Sequence, residues 1–404
     1  MTMDYLMIHL PIAGVDMMSW QLILIGLTVG VIGGFFGVGG AFMVTPALNV
    51  FGFPMAFAIG TDMAHIAGKS VVATIKHRKL GNVDMKLGLL MVIFTAIGIE
   101  LGATLIMWLE RIGRVGPIVR IVYMVLLFGL GSYMLNEYFV LSSKSKKSGT
   151  KVSDVGVSSM ALKLHEINLP PMIHLKTSGI TISMWVIGAI ATFTGFLAGF
   201  LGVGGGFIRM PALIYLIGCP TTIAVGTDLF EVMISGAYGA FTYALKGRVE
   251  IVAAVIMLCG AAVGAQFGTL ATKYVKGLII RLYFAVTMLL SGVSVVFKHI
   301  SGSYKDVYSG SLNAWVKTTS GLTDKEQLKD WLLMNKAAVK TWIAQQPDVM
   351  QSAYAMEKMW NNYSGYLMLG SATALSAIIV VKMVQGIRYE RRLHATEYAT
   401  EPLK

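Results

Sequence analysis

Charged residues are scarce in this chain. Only 13% of its 404 residues are Asp, Glu, Lys or Arg, whereas 55% are hydrophobic, and the mean hydropathy is +0.68. Soluble domains of this length do not normally reach such values. The composition therefore excludes an ordinary soluble enzyme or binding module and predicts a protein that crosses a membrane several times.

Several chemical signatures are also missing. Cys219 and Cys259 are the only cysteines, both in apolar surroundings, so neither a disulfide framework nor a metal-thiolate site is indicated. The Gly-x-x-x-x-Gly-Lys-Ser/Thr motif is absent, so transport would have to use an ion gradient or the membrane potential. No Ser/His pair or His-rich metal motif is evident, and the chain is predicted not to be an enzyme and to need no cofactor or metal. The N-terminus has no basic segment before its first apolar run and does not resemble a cleaved signal peptide.

Long apolar runs are abundant instead. They are long enough to cross about 30 Å of hydrocarbon as helices and cover residues 19–37, 55–75, 86–107, 117–140, 181–201, 221–244, 250–271, 278–297 and 364–384. We therefore predict an all-α polytopic membrane protein.

The net charge of +12 comes largely from short basic segments that border these runs, such as 76–79, 144–147 and 388–392. This placement indicates membrane topology rather than nucleic-acid binding, because Lys and Arg accumulate in cytoplasmic loops. It predicts that loop 76–86 and the C-terminal tail are cytoplasmic, and that residues 300–362 are periplasmic.

Glycine clusters interrupt two of the apolar runs. The sequence Phe-Gly-Val-Gly-Gly-Ala-Phe occupies 36–42 and precedes Pro46, whereas Leu-Gly-Val-Gly-Gly-Gly-Phe occupies 201–207 and precedes Pro211. Each glycine costs roughly 1 kcal/mol inside a helix. In hydrocarbon, such a break is tolerated where it lines a cavity or meets a ligand. We predict that residues 19–51 form a broken helical hairpin that enters and leaves the membrane on one side.

The two breaks belong to an internal duplication. Pro46 matches Pro211 at an offset of 165, and a longer set matches at 166: Gly52, Pro54, Gly60, Thr61, Asp62, Gly81, Val83, Gly98 and Gly102 with Gly218, Pro220, Gly226, Thr227, Asp228, Gly247, Val249, Gly264 and Gly268. Duplication is a common transporter plan. Because the basic turn 79–81 is predicted inside and its equivalent 246–248 outside, the repeats are predicted to be inverted.

This duplicated pattern resembles the TauE/SafE sulfite exporter family, also called TSUP. The resemblance rests on the Gly-x-Gly-Gly breaks, the Pro-Ala-Leu that follows each, and Gly-Thr-Asp in the next helix, and it covers about 20–140 and 180–298. It implies a membrane carrier of sulfite, sulfonates, thiosulfate or related anions. Residues 300–362, the final helix and Arg209 depart from the usual family pattern.

The predicted organisation follows from the runs and the duplication. We expect a first transmembrane repeat at 1–140, a cytoplasmic linker at 141–177 and a second transmembrane repeat at 178–299. A periplasmic helical insertion at 300–362, a C-terminal transmembrane helix at 363–386 and a cytoplasmic tail at 387–404 follow. In the insertion, the capping box at 323–326 predicts a helix that places Leu328, Trp331 and Leu332 together. Pro347-Asp348 predicts the start of another helix, and the tryptophans of the insertion are expected to form a core.

The breaks are the predicted substrate site. A helix N-terminus exposes unpaired N–H groups and about half a positive charge, so it can bind an anion. The predicted substrate-binding residues are Gly39, Gly40, Ala41, Gly204, Gly205, Gly206, Thr61, Thr227 and Arg209. Alternatively, the glycines only allow close helix packing, and Arg209 forms an ion pair with Glu231 instead of binding an anion.

Ionisable residues follow the Gly-Thr-Asp motifs on one helix face. The predicted coupling residues are Asp62, His65 and Lys69 in the first repeat, and Asp228 and Glu231 in the second. Such groups in a membrane helix are functional candidates by default. The alternatives are helix capping by the aspartates and a structural Asp62–Lys69 pair.

Together these features predict a multi-pass secondary transporter of the cell inner membrane. We expect export of sulfite or an organosulfonate by alternating access, with the lipid bilayer, a small anion and a proton or sodium ion as its partners, and no nucleic acid. One alternative is an importer of thiosulfate or another oxyanion. Another is a cation or metal transporter with Asp62, His65, Asp228 and Glu231 as ligands.

Overall fold

The computed structural model describes residues 7–38, 41–148, 159–202, 205–322, 331–332 and 335–400. Within those ranges the chain forms thirteen α-helices and two short β-hairpins. Seven of the described helices are long and apolar enough to cross a membrane, and the predicted runs 55–75 and 221–244, which form α3 and α9, are not among them. The prediction of an all-α polytopic membrane protein is confirmed.

The two halves have the same order of elements. The first contains β1 Met7–Leu10, β2 Val15–Met18, α1 Ser19–Phe36, α2 Ala41–Val50, α3 Met55–Lys79, α4 Met85–Arg111 and α5 Val115–Ser148. After α6 Ser159–His165, the second contains β3 Met172–Leu175, β4 Ile180–Ser183, α7 Met184–Leu201, α8 Gly206–Ala212 with a π-helical turn Leu213–Ile217, α9 Thr221–Leu245, α10 Ile251–Thr272 and α11 Gly277–Ser320. The chain continues with α12 Lys336–Ala344 and α13 Asp348–Thr400.

Helices α1 and α10 come from different repeats and pack side by side in the same direction. Gly26, Gly30 and Gly34 of α1 lie against the backbone of Met257, Ala261 and Ala265 of α10. The contact is so close that a Cβ at Gly30 would lie 2.5 Å from the carbonyl oxygen of Ala261. Helices α4 and α7 repeat this arrangement. Small residues therefore join each repeat to the other, as is usual in membrane bundles.

Helices α3 and α9, which are equivalent in the two halves, pack antiparallel at the centre of the bundle. Gly239 of α9 meets Met63 of α3, and Gly60 of α3 meets Arg248 beyond the end of α9. Two equivalent helices that run in opposite directions are what an inverted duplication requires. Which end of the bundle faces the cytoplasm stays a prediction from the basic loops.

Each half begins with a β-hairpin, and neither hairpin was predicted from the sequence. Both first strands read Met-Ile-His-Leu, at 7–10 and 172–175. Glu250 Oε2 accepts the N–H of Ile12 at 2.8 Å and of Ala13 at 3.0 Å, whereas Asp84 Oδ2 accepts the hydroxyl of Ser178 at 2.7 Å. Strands of four residues carry too little pattern to be recognised. The second hairpin begins before the predicted repeat boundary at 178.

The predicted periplasmic insertion is built largely by extension of two long helices. Helix α11 has 44 residues and α13 has 53, and both run without interruption past 299 and 363. Trp315 packs on Trp331 and Trp342 with ring centroids 5.6 and 5.4 Å apart, within a small core that is separate from the membrane core. The helix predicted at Asp348 is present. The capping box 323–326 and Leu328 lie outside the described residues.

We expect Gly264→Ala to destabilise the bundle by at least about 2 kcal/mol. The new Cβ would lie 2.2 Å from the carbonyl oxygen of Leu27, and backbone on both sides prevents relief. Gly129→Ala in α5 is the control, because its Cβ meets no atom within 4 Å. Thermal unfolding in detergent measures the effect, and equal melting temperatures for the two variants would contradict this packing.

Candidate functional site

Two helices end inside the bundle at the predicted glycine breaks. Helix α1 ends at Phe36 and α7 at Leu201, and both stop at a glycine in the left-handed region, Gly37 with φ +80° and Gly202 with φ +77°. A Cβ at Gly37 would lie 2.5 Å from Val225 Cα in α9. One at Gly202 would lie 2.6 Å from the Cα of Ile59, the residue of α3 that is equivalent to Val225. Both breaks therefore require glycine for conformation and for space.

Side chains from neighbouring helices satisfy carbonyl groups near these buried helix ends. Tyr243 donates its hydroxyl to the Gly199 carbonyl at 2.6 Å, and Tyr123 donates to the Leu201 carbonyl at 2.8 Å. The His77 Nε2 lies 3.1 Å from the carbonyl oxygen of Gly34, the residue equivalent to Gly199. The last carbonyls of a helix have no partner within it, and hydrocarbon supplies no water.

The two breaks come together at the start of the half-helices α2 and α8. The Val38 carbonyl oxygen lies 2.6 Å from the position that a Cβ on Gly206 would take. The rings of Phe42 and Phe207 are 6.1 Å apart, and Tyr123 stacks on Phe207 at 6.2 Å. Two half-helix N-terminal ends are thus adjacent in the buried core.

The predicted glycine site is only partly described. Gly205 precedes α8 with φ +78°, Gly206 opens α8, and Ala41 opens α2. Gly39, Gly40 and Gly204 lie outside the described residues.

The threonines of the Gly-Thr-Asp motifs bind the backbone of the other repeat. Thr61 Oγ1 accepts the N–H of Glu250 at 2.9 Å, and Thr227 Oγ1 accepts the N–H of Asp84 at 2.9 Å. Both side chains are fully buried. These bonds hold Glu250 and Asp84, the N-cap residues of α10 and α4. Each hydroxyl keeps one hydrogen that it could donate to a substrate.

A group that we name the α3 cluster consists of Thr45, Asp62, His65 and Lys69. Asp62 Oδ2 accepts the Thr45 N–H at 3.1 Å and its hydroxyl at 2.9 Å, and His65 Nδ1 lies 3.5 Å from Asp62 Oδ1. All four are buried. Within the described part of the chain, the ring nitrogens of His65 and the Nζ of Lys69 have no hydrogen-bond partner. The predicted same-face arrangement therefore holds one partnered carboxylate and two unsatisfied basic groups.

The α9 cluster consists of Arg209, Asp228, Glu231 and Ser235. One guanidinium nitrogen of Arg209 lies 3.2 Å from Asp228 Oδ1 and also contacts Glu231 Oε2. Ser235 donates to Glu231 at 3.0 Å, and all four are buried. The ion-pair alternative for Arg209 is thus what the structure contains. The second partner, Asp228, was missed, because a sequence does not show how the short helix α8 approaches α9.

The formal charges of the two clusters differ. With carboxylates ionised and His65 neutral, the α3 cluster has one cation and one carboxylate, which sum to zero. The α9 cluster has one guanidinium and two carboxylates, which sum to −1. A buried charge without compensation is very unfavourable. The α9 cluster can therefore accommodate one proton or monovalent cation.

The described residues offer no group of three or more His, Cys, Asp or Glu positioned to hold a metal ion. The metal-transporter alternative consequently gains no support from ligand geometry in that part of the chain.

Comparison with known proteins places this geometry in a family. The family profile described as Sulfite exporter TauE/SafE matches residues 22–295, which include both breaks and both clusters. The chain belongs to the TauE/SafE family. The predicted insertion 300–362 and all of α13 lie beyond the matched TauE/SafE range.

Curated relatives carry the names of membrane transporters. The chain is 23% identical to Probable membrane transporter protein YunE of Bacillus subtilis over 291 residues, which are 69% of this chain and 97% of the relative. It is 27% identical over 254 residues to a probable membrane transporter protein of Xylella fastidiosa (strain 9a5c), covering 62% of this chain and 82% of that protein. No solved structure matches the chain. With its TauE/SafE membership, these relatives identify a multi-pass membrane transporter.

We expect Arg209→Gln to lower the free energy of unfolding by about 3–5 kcal/mol, because two buried carboxylates lose their cation. Glu231→Gln alone should have a small effect, since Arg209 and Asp228 remain as a balanced pair. The double variant should be more stable than Arg209→Gln. Thermal denaturation of the three purified proteins measures the coupling, and unchanged stability of Arg209→Gln would show that the ion pairs contribute nothing.

Proposed function

We propose that this protein is a secondary transporter of the cell inner membrane that exports a small sulfur oxyanion, sulfite or an organosulfonate, by alternating access. Its family membership supports a membrane transporter, and the description of the family supports the substrate class. The observation that carries the proposal is the meeting of two broken helices at Gly206, Phe42 and Phe207 in the buried core.

The first turns of the half-helices offer backbone donors, and the nearby carboxylates come from other helices: Asp62 accepts the N–H of Thr45 in α2, and Asp228 lies beside the start of α8. Neither α2 nor α8 has an acidic residue in its first turn, and Gly205 supplies no side chain to cap α8. First-turn N–H groups lack partners within the helix and lie at its positive end. Two such ends close together favour a small anion, which would accept hydrogen bonds from both repeats.

The α9 cluster is the proposed coupling site. An anion that approaches the centre meets a cluster whose formal charge is −1, so loading becomes easier when a proton neutralises one carboxylate. Asp228 Oδ2 lies 2.8 Å from the Cβ position of Gly206, at the start of α8. Protonation and anion binding would thus take place beside the same residue, which supports a proton as the coupling ion.

We expect Gly205→Ala to weaken sulfite binding by more than tenfold. A Cβ at this position would lie 2.5 Å from a guanidinium nitrogen of Arg209 and 3.0 Å from the Thr194 carbonyl oxygen, and φ +78° adds strain of about 1–2 kcal/mol. The matched control is Gly113→Ala, which has φ +71° but meets no atom within 4 Å. Calorimetry on purified proteins measures the affinity.

Wild-type affinity in a folded Gly205→Ala protein would place the substrate elsewhere and leave the breaks as packing devices.

The direction of transport is tested in vesicles that contain wild-type protein of known orientation. Efflux from the cytoplasmic face supports the exporter, whereas accumulation of thiosulfate in the opposite direction identifies an importer.

We expect Glu231→Gln to remove the pH dependence of transport. In the wild type, the rate should fall as the pH rises, because the deprotonated α9 cluster repels the anion. The substitution brings its formal charge from −1 to zero, so the rate should stay flat. Ser235→Ala is the control, since it removes a hydrogen bond to Glu231 but no charge. Anion flux measured from pH 5 to 9 distinguishes them, and a wild-type profile in Glu231→Gln would remove this residue from coupling.

A further inference from the structure

A narrow cleft, with room for about one water molecule, lies between α2, α5, α11 and α13, at the end of the bundle that carries the helical extension. Its lining includes Pro46, Asn49, Arg120, Tyr123, Lys298 and Ser364. These residues come from both repeats and from the C-terminal helix. The charge pattern predicts that this end of the bundle is periplasmic.

Two cations line the cleft, and their hydrogen-bond partners are neutral. Arg120 donates to Asn49 Oδ1 at 3.4 Å, and Lys298 donates to Asn361 Oδ1 at 2.5 Å. Among the described residues, neither belongs to an ion pair. Both side chains are partly buried, where cations are normally paired. Their positive charges therefore have no carboxylate in direct contact among the described residues.

The surrounding charges leave the cleft positive. Asp306 acts electrostatically on Arg120, while Glu357 and Lys305 act on Lys298. Arg120, Lys298 and Lys305 contribute three positive charges, and Asp306 and Glu357 contribute two negative charges. The net formal charge around the cleft is therefore +1. The His299 ring also lies in this region, near Arg120. A partly enclosed positive cleft concentrates small anions from solution.

Residues that line the cleft connect it to the centre of the protein. Tyr123 lines the cleft, yet its ring stacks on Phe207 and its hydroxyl binds the Leu201 carbonyl at the end of α7. Pro46 also lines it, and the preceding residue, Thr45, donates to Asp62 in the α3 cluster. Tyr123 and the segment Thr45–Pro46 therefore link the lining of the cleft to the proposed substrate site.

We propose that Arg120 and Lys298 form an anion-binding vestibule through which the transported oxyanion passes between the periplasm and the central site. The identity of the anion rests on the function proposed above. The guanidinium offers a planar fork of donors and the ammonium a compact charge, so together they suit a small oxyanion. Neutral amide partners leave such a site weak enough for rapid release, which a conducting pathway needs.

The C-terminal part of the chain helps to build this vestibule. Lys298, Asn361 and Ser364 lie beyond the matched family range, which ends at 295. Asn361 also donates to the Val50 carbonyl at 3.4 Å, and Ser364 exchanges hydrogen bonds with Ser294. The final helix thus holds Lys298 against the end of α2. This gives α13 a specific role in the periplasmic access route.

A charge-sensing experiment tests the vestibule without any transport. A cysteine is introduced as Asn49→Cys in a Cys219→Ala/Cys259→Ala background, and its modification rates by anionic and cationic methanethiosulfonates are compared. Neutralisation by Arg120→Gln/Lys298→Gln should lower the anionic-to-cationic rate ratio about tenfold. Arg111→Gln/Arg114→Gln removes two exposed charges at the same end and should change the ratio less than twofold. An unchanged ratio in the vestibule variant overturns the proposal.

A flux experiment tests whether the substrate uses this route. In vesicles, Arg120→Gln/Lys298→Gln should raise the KM for sulfite about tenfold, with little change in kcat, when sulfite is added on the side of the predicted insertion 300–362. It should also weaken the salt dependence of kcat/KM, and Arg120→Lys should restore most of the wild-type behaviour. Wild-type kinetics in the double variant overturn the assignment to the transport route. A wild-type protein that moves no anion overturns the proposed function instead, and the labelling ratio still decides whether the cleft attracts anions.

Discussion

A helix that ends inside a membrane leaves backbone groups without water, and this constraint governs the centre of the protein. The ends of α1 and α7 are satisfied by side chains that come from other helices, with Tyr123 and Tyr243 donating to the carbonyls of α7. At the opposite ends of the breaks, the half-helices begin without an acidic residue in their first turns. The chain thus satisfies its buried acceptors with side chains of other helices, whereas the first-turn donors of the half-helices have no carboxylate in their own helix, and Asp62 accepts the N–H of Thr45 further along α2. This difference is the physical basis of the proposed anion site.

The same constraint explains why neither repeat is complete alone. Each hairpin turn is held by a carboxylate of the other repeat, Glu250 or Asp84. The backbone N–H of each of these residues is in turn accepted by a threonine of the opposite repeat, Thr61 or Thr227. Such bonds form only because glycine contacts bring the helices of different repeats to backbone distance. The close packing of the helices and the hydrogen bonding of buried polar groups between the repeats therefore depend on each other.

The features that could be predicted from the sequence are those encoded by long or repeated patterns. Apolar length predicted seven spans correctly, whereas the runs 55–75 and 221–244 are not among the helices apolar enough to cross a membrane. The duplicated glycines predicted the ends of α1 and α7 near Gly37 and Gly202. The hairpins were missed because four residues hold too little periodicity, although Met-Ile-His-Leu occurs twice. The partnership of Arg209 with Asp228 depends on how α8 approaches α9, which only tertiary structure provides. The cleft between Arg120 and Lys298 likewise joins residues that are distant in the chain.

The two repeats share a fold but differ in charge at equivalent positions. Asp62 and Asp228 correspond, whereas His65 and Lys69 stand where the second repeat has Glu231 and Ser235. In a transporter of inverted repeats, the inward and outward states arise when the repeats exchange conformations. Identical clusters would make those states equivalent in intrinsic stability and in affinity for a proton. A neutral α3 cluster opposite an α9 cluster of charge −1 removes that equivalence. Under the proposed function, this difference assigns the coupling proton to the second repeat, so protonation shifts the balance between the two states, whereas the gradients of proton and anion set the direction of net transport.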